Sequence, residues 1–322
     1  MKKILIIFAL ILLFCLIFFL GKNFYLSAVS RENNSPGSYQ ADSDPQSPDS
    51  FSFAILGDTQ SFSPQNPKGA TQEAVNQIKN HKPDFLISIG DLVSGCNKNC
   101  LEKLQNWQKV ASSASVPVYP VMGNHDRTGR EKSDKAWQEI FNLPSNGPPG
   151  FEELVYSFDY KNSHFIVLNS AKPEEHKISA EQVDWLKNDL KTNQKNNIFV
   201  FVHEPFFPVN SKKGESLDKH AKDRDQIWQI LDEFNVSAVF SGHEHLNSRR
   251  QIDSFIVNSA KNHVYQIIVG NTDTFDHKKP SPGSNIEFYH QGRVFMLVKV
   301  KGTEIELQVH SIDGKLLDSF FI

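Results

Sequence analysis

FSFAILGDTQ, residues 51–60, carries a run of apolar and aromatic side chains straight into Gly57, Asp58, Thr59 and Gln60. Short runs rich in Val, Ile and Phe that are closed by turn residues read as buried strands. A strand therefore ends here in a carboxylate and an amide. The same punctuation recurs four times. DFLISI (84–89) runs into GDLVSG with Asp91, and VPVYPV (116–121) leads through Met122 to GNHD with Asn124, His125 and Asp126. NIFVFV (197–202) ends in HEP with His203, and VSAVF (236–240) in SGHEH with His243 and His245.

HFIVL (164–168) is a sixth strand-like run, and helix-like segments fall between the runs at 70–80, 100–112, 133–141, 179–191 and 218–234. In the fourth, Ser179 stands three residues before Gln182, the spacing of a capping pair. From 264 onward HVYQIIVG, GRVFMLVKV and TEIELQVHSI alternate as strands with hardly any helix. Strand and helix alternating early, then strands late, predict an α/β fold: two packed mixed β-sheets, a sandwich, flanked by α-helices.

One Gly-Asp is ordinarily a turn, and one histidine ordinarily solvated or satisfied by a neighbour. Five strand ends in a row bearing Asp, Asn, Gln or His are another matter, because ligands of α/β sheets bind beyond the carboxyl ends of strands. The donor set is oxygen and imidazole with hardly any thiolate, which suits Mn, Fe or Zn. It exceeds the three or four ligands of a single catalytic zinc, so two metals sharing a carboxylate fit better.

The blocks GDTQ, GDLVSG, GNHD, VHEP and GHEH, in this order, resemble those of the calcineurin-like metallophosphoesterases. The resemblance implies a metallophosphoesterase-like fold and a first metal held by Asp58, Gln60, Asp91 and His245. A second metal would be held by Asp91, Asn124, His203 and His243, with Asp91 bridging. It implies hydrolysis of phosphate mono- or diesters by a hydroxide held between the metals. Asn124 and His125 would meet the substrate, His125 would assist the leaving oxygen, and Asp126 would orient the His125 ring. Gln60 departs from the usual histidine, and its amide oxygen predicts a weaker first site that favours Mn or Fe, with Zn the alternative.

Other residues have bland readings that compete. Arg249, with Arg250, could contact phosphate, or simply line the charged face of an exposed strand. Glu204 and Glu244 flank ligand histidines as candidate outer partners, or as solvated carboxylates. In the loop 205–225, Lys212, Lys213 and Arg224 read individually as solvated charges, and Phe206 and Phe207 as core or rim packing. His81, His176 and His277 lie in polar stretches and read as solvent-exposed.

The N-terminal segment, 1–22, places two lysines before an unbroken apolar run from Ile4 to Leu20, the length of a short membrane anchor. Cleavage after Ser30 is the alternative. Residues 23–50 read as a flexible, polar linker, leaving 51–322 as the catalytic domain. The charge pattern around the apolar run puts that domain outside the cell membrane, or secretes it if the signal is cut. Cys96 and Cys100, with three residues between them and in an oxidising exterior, are expected to pair. A formal charge of -3 gives no basic track for nucleic acid, and the expected partner is a small phosphorylated substrate. The rival readings are a nuclease or nucleotide pyrophosphatase of the same superfamily, and a non-catalytic surface binding module.

Overall fold

A computed structural model describes residues 49–60, 69–210, 212–254, 256–257, 264–274, 279–280 and 285–322. The expected anchor, cleavage site and most of the linker lie outside these residues, as does His277. Among the described residues no helix is long and apolar enough to cross a membrane.

Thirteen strands and five α-helices make up the described fold: β1 Ser50–Leu56, α1 Ala70–His81, β2 Phe85–Ile89, α2 Cys100–Ala111, β3 Val118–Val121, α3 Glu131–Ile140, β4 Tyr156–Tyr160, β5 Ser163–Val167, α4 Ala180–Thr192, β6 Asn197–Phe201, α5 Ala221–Glu233, β7 Ala238–Ser241, β8 Asn247–Ile252, β9 Val264–Val269, β10 Phe288–His290, β11 Val294–Lys301, β12 Glu304–Ser311 and β13 Leu316–Phe321. They form two mixed sheets, in the orders β13-β12-β11-β1-β2-β3 and β10-β8-β9-β7-β6-β5-β4. Strands β1, β2 and β3 run parallel, as do β5, β6, β7 and β9. All their carboxyl ends consequently point to one rim of the sandwich.

The strand alternation of period two explains how the layers hold together. Phe199 and Phe201 of β6, Phe165 of β5 and Phe240 of β7 face the other sheet, where they meet Phe53 and Phe85. Phe53 and Phe85 lie parallel with centroids 5.2 Å apart, and Phe165 meets each edge-on at 5.3 and 5.2 Å. Such aromatic pairs contribute roughly 0.5–1.5 kcal/mol each beyond their burial. The intervening residues Ile166, Ile198, Val200 and Val239 face outward, where α4 and α5 cover them with Leu186, Leu190, Trp228 and Leu231. On the other sheet Val75 and Ile78 of α1, Trp107 of α2 and Trp137 of α3 extend the first core. Cys96 and Cys100, the first residue of α2, are joined in a disulfide.

Three expectations from the sequence change here. Ser179 makes no side-chain cap on α4. Gln182 instead clamps Asn169, accepting from its amide at 2.9 Å and donating to its carbonyl at 2.9 Å, a use no local spacing reveals. Arg249 does not face the rim that carries the ligands. Its guanidinium lies over Phe320, 3.7 Å from the ring centroid, and pairs with Glu287 at 3.0 Å and Asp318 at 2.7 Å. Both carboxylates come from late in the chain, so the donors offered to phosphate in the sequence reading are engaged between strands. His176, read as solvent-exposed, instead pairs with buried Glu204 at 3.1 Å.

On β5, next to the edge strand β4, His164 stands between two carboxylates, with Nδ1 2.6 Å from Asp159 and Nε2 2.7 Å from Asp189. A neutral imidazole can donate to one of them only, whereas the cation donates to both. Burial disfavours the charged ring, but Asp189 and Asp159 outweigh it and raise the His164 pKa above 6.5. This stabilisation is fully present below about pH 6.5 and lost as pH rises through the raised value. His164→Gln should therefore destabilise the fold by about 1–2 kcal/mol at pH 5.5, with the exposed Asp159 side contributing the lesser part. Denaturant unfolding of both proteins from pH 5 to 9 should show that gap closing as pH rises. A constant gap would contradict the charged-ring assignment.

Candidate metal centre

The five ligand blocks meet at the common rim because each follows a strand that ends there. The turns that carry them are tight. Asp58, Asp91, His243 and His245 have φ values of 51°, 52°, 70° and 50°, a left-handed backbone that non-glycine residues seldom adopt and that concentrates at functional sites. The neighbouring glycines are required by close approach. A Cβ on Gly90 would lie 2.4 Å from His203 Nδ1, and one on Gly123 would lie 2.3 Å from Asp91 Oδ1. Trp107 steadies the first turn by donating to Thr59 Oγ1 at 2.9 Å.

Two groups of donors result. Asp91, His203 and His243 have ligand atoms within 4.8 Å of one another, and so do Asp58, Asp91 and His245. Asp91 belongs to both. The structure thus brings together the charged and imidazole residues singled out by the sequence, and sets Asp91 between the two halves.

Hydrogen bonds to the far side of two rings decide which nitrogens face inward. His203 Nδ1 donates to the Ile89 carbonyl at 2.9 Å, leaving Nε2 as an acceptor. That Nε2 stands 3.1 Å from Asn124 Oδ1 and 3.3 Å from Asp91 Oδ1. With the ring neutral these three acceptors repel unless a cation lies among them; with no metal there, a proton on Nε2 shared with Asp91 takes its place. His243 Nε2 donates to the Glu215 carbonyl at 2.9 Å, so its Nδ1 is the ligand atom that remains. Neither backbone partner is visible to a motif search.

In the other half, His245 Nε2 lies 3.4 Å from Asp58 Oδ1, and Asp58 also accepts from the His243 amide at 2.9 Å. Gln60 Nε2 is 3.4 Å from the same His245 nitrogen, while Gln60 Oε1 is buried without a partner. Amide oxygen and nitrogen are assigned from their surroundings. An orphaned carbonyl oxygen, with two nitrogens in contact beside it, suits an amide whose oxygen binds a metal. The residues present therefore fit two cations with oxygen and nitrogen ligands.

Electrostatics point the same way. Burial raises Asp58 above the usual carboxylate range. Burial would also raise Asp91, but His203 outweighs it and holds Asp91 at about 2. His203 in turn is pushed up to about 10, Asp91 overcoming the burial that disfavours its charge. Two carboxylates, at most 1% exposed, thus share an enclosed site that demands positive charge.

His125 stands at the mouth with its side chain 42% exposed and Nε2 4.0 Å from Asp91 Oδ2, while its backbone amide donates to Asp91 Oδ1 at 2.9 Å. Asp126 does not take the role of orienting that ring. Its Oδ1 accepts from the Val93 amide at 3.1 Å and its Oδ2 from the Gly123 amide at 2.9 Å, so this fully buried carboxylate ties the Asp91 turn to the Asn124 turn. Glu244 is likewise a loop clamp, accepting from the Val209 and Asn210 amides at 2.6 Å each. Phe206 and Phe207 are buried against Trp228 and do not line the mouth.

A two-sheet α/β sandwich with paired donor groups at its strand ends defines a class of dinuclear metalloproteins. The chain belongs to the calcineurin-like phosphoesterase family, whose model matches residues 51–247. It is 30% identical over 172 residues to a 3',5'-cyclic-nucleotide phosphodiesterase of Nostoc sp., a match covering 52% of this chain and 58% of that protein. It is 23% identical to purple acid phosphatase 15 of Arabidopsis thaliana, over 56% of this chain and 38% of that one. The chain thus spans between 38% and 58% of the length of these relatives. A purple acid phosphatase from yellow lupin seeds shares the fold, with a TM-score of 0.70, 17% identity, and coverage of 85% of this chain and 53% of its own.

Proposed function

We propose that this protein hydrolyses small phosphate esters at a dinuclear metal centre, with residues 51–322 as the catalytic domain. The observation that carries the proposal is the pair of three-residue donor groups sharing Asp91. Family membership and relatives named as phosphatase and phosphodiesterase support it.

Asp58, Gln60, Asp91 and His245 hold one cation, and Asp91, Asn124, His203 and His243 the other. When bound, such a pair neutralises phosphoryl oxygens and makes water a usable nucleophile at neutral pH. The remaining work belongs to the chain. Asn124 and His125 meet the ester, and His125 donates a proton from Nε2 to the departing oxygen. Asp126 keeps the Asp91 and Asn124 turns in register. The neutral amide of Gln60 makes the first site the weaker one and favours Mn or Fe over Zn.

The apolar run from Ile4 to Leu20 and the polar linker after it support a cell-membrane location with the catalytic domain outside. Protease treatment of intact cells checks that arrangement, since a domain facing inward would survive.

The chemistry is tested on the purified protein by manganese titration together with a screen of aryl phosphate, bis-aryl phosphate, cyclic nucleotides and single-stranded DNA. The proposal expects two equivalents bound with unequal affinity, and metal-dependent release of the aryl group. One equivalent with no turnover of any ester would overturn it.

A further inference from the structure

We propose that Thr272 is a positioning residue for the first metal: its hydroxyl holds the turn that carries Asp58 and Gln60, and so sets the affinity of that site while leaving the second alone. This deepens the dinuclear reading above and rests on it.

The metal centre draws its ligands from both sheets. Asp58, Asp91 and Asn124 follow β1, β2 and β3 of one sheet, and His203, His243 and His245 follow β6 and β7 of the other. Whatever fixes one sheet against the other at this rim therefore fixes the ligands. Thr272, fully buried in the turn after β9, does so beside Asp58. Its Oγ1 accepts from the Gly57 amide at 3.1 Å and donates to the Val294 carbonyl at 2.9 Å, and its own amide donates to the Gly57 carbonyl at 3.1 Å. Gly57 follows β1 and Val294 opens β11, so one hydroxyl ties the turn after β9 to two strands of the opposite sheet. Thr274 adds a bond from Oγ1 to the Asp58 carbonyl at 3.2 Å.

The turn needs such a hold. Asp58 stands at φ 51°, a conformation that persists only where the surroundings enforce it. Gly57 is packed so closely that a Cβ there would lie 2.2 Å from the Val269 carbonyl oxygen. Asp58 and Gln60, both first-site ligands, ride on this turn.

The ligands of the second site are fastened elsewhere. The Ile89 carbonyl holds the His203 ring, the Glu215 carbonyl holds the His243 ring, and Asp126 holds the Gly123 amide beside Asn124. The His243 amide does donate to Asp58, but that bond engages the His243 backbone and leaves its ring with Glu215. Loss of the Thr272 hydroxyl should therefore be felt at one metal.

Thr272→Val keeps the branched shape and leaves the buried Gly57 amide and Val294 carbonyl without their hydroxyl partner. Calorimetric titration with manganese compares the full wild-type chain with Thr272→Val and Thr272→Ser. In Thr272→Val the Kd of the weaker site should rise about tenfold, the scale expected when a partner behind a metal ligand is removed. The tighter site should not change, and Thr272→Ser should restore the wild-type value. The manganese concentration for half-maximal turnover should rise by the same factor, with kcat at saturating metal retained. Thr274→Val, which removes only the bond to the Asp58 carbonyl, should shift the same site less, and it carries the test if Thr272→Val does not fold. Equal weakening of both sites, as a general loosening of the fold would give, or an unchanged weaker site would each overturn the proposal. A wild type that binds one manganese would overturn the dinuclear reading and this assignment with it. Two bound metals with no turnover of any ester would overturn the functional reading alone, and the calorimetry would still decide the role of Thr272.

Discussion

Asp91→Asn should abolish turnover, with a loss of about a thousandfold or more, and should cost at least one bound metal. Asp91 is the one residue common to both donor groups. It is also the carboxylate that faces His203 at 3.3 Å and His125 at 4.0 Å. Asparagine keeps the size of the side chain and one carbonyl oxygen, which can still accept from the His125 amide, so the turn should survive. What disappears is the negative charge between two cations. Metal analysis by inductively coupled plasma spectrometry, beside circular dichroism to confirm folding, separates this from simple misfolding. A folded Asp91→Asn protein with two tightly held metals and normal rates would remove the bridge from the account.

The second large effect falls on His125. His125→Ala should lower kcat by about 10²–10³ while two metals stay bound, because the ring stands at the mouth and its backbone amide, not its side chain, contacts Asp91 closely. A proton donor matters most where the departing oxygen is basic. The loss should therefore be large for alkyl phosphates and small for nitrophenyl phosphate, whose leaving group needs little help. A ring that merely held the phosphate would weaken both substrates alike, and its loss would appear in KM. Uniform loss across leaving groups would contradict the proton-donor role.

Much of this centre could be read before any coordinates, and the reason is mechanical. Parallel strands place their carboxyl ends on one rim, so residues 58, 91, 124, 203 and 243, remote in sequence, share one feature that a linear reading can detect: each closes a run of apolar strand. The glycines beside them mark where backbone and side chain nearly touch.

Residues whose partners lie far away without such punctuation were illegible. Arg249 finds Glu287 and Asp318, and Gln182 finds the backbone of Asn169; neither spacing nor composition predicts a partner of that kind. Asp126 looked like a partner for the adjacent ring, because adjacency is what a sequence displays. In the fold its two oxygens are captured by amides from two different turns. Strands β4 and β8 mix polar and apolar residues, so their burial depends on neighbours the chain supplies elsewhere.

The most direct measurement of the whole account is anomalous diffraction at the manganese edge from crystals of the metal-loaded protein. Two peaks should appear about 3.5–4 Å apart, on either side of the Asp91 carboxylate, one against Asp58, Gln60 and His245 and the other against Asn124, His203 and His243. A single peak, or two peaks that do not share Asp91, would contradict it.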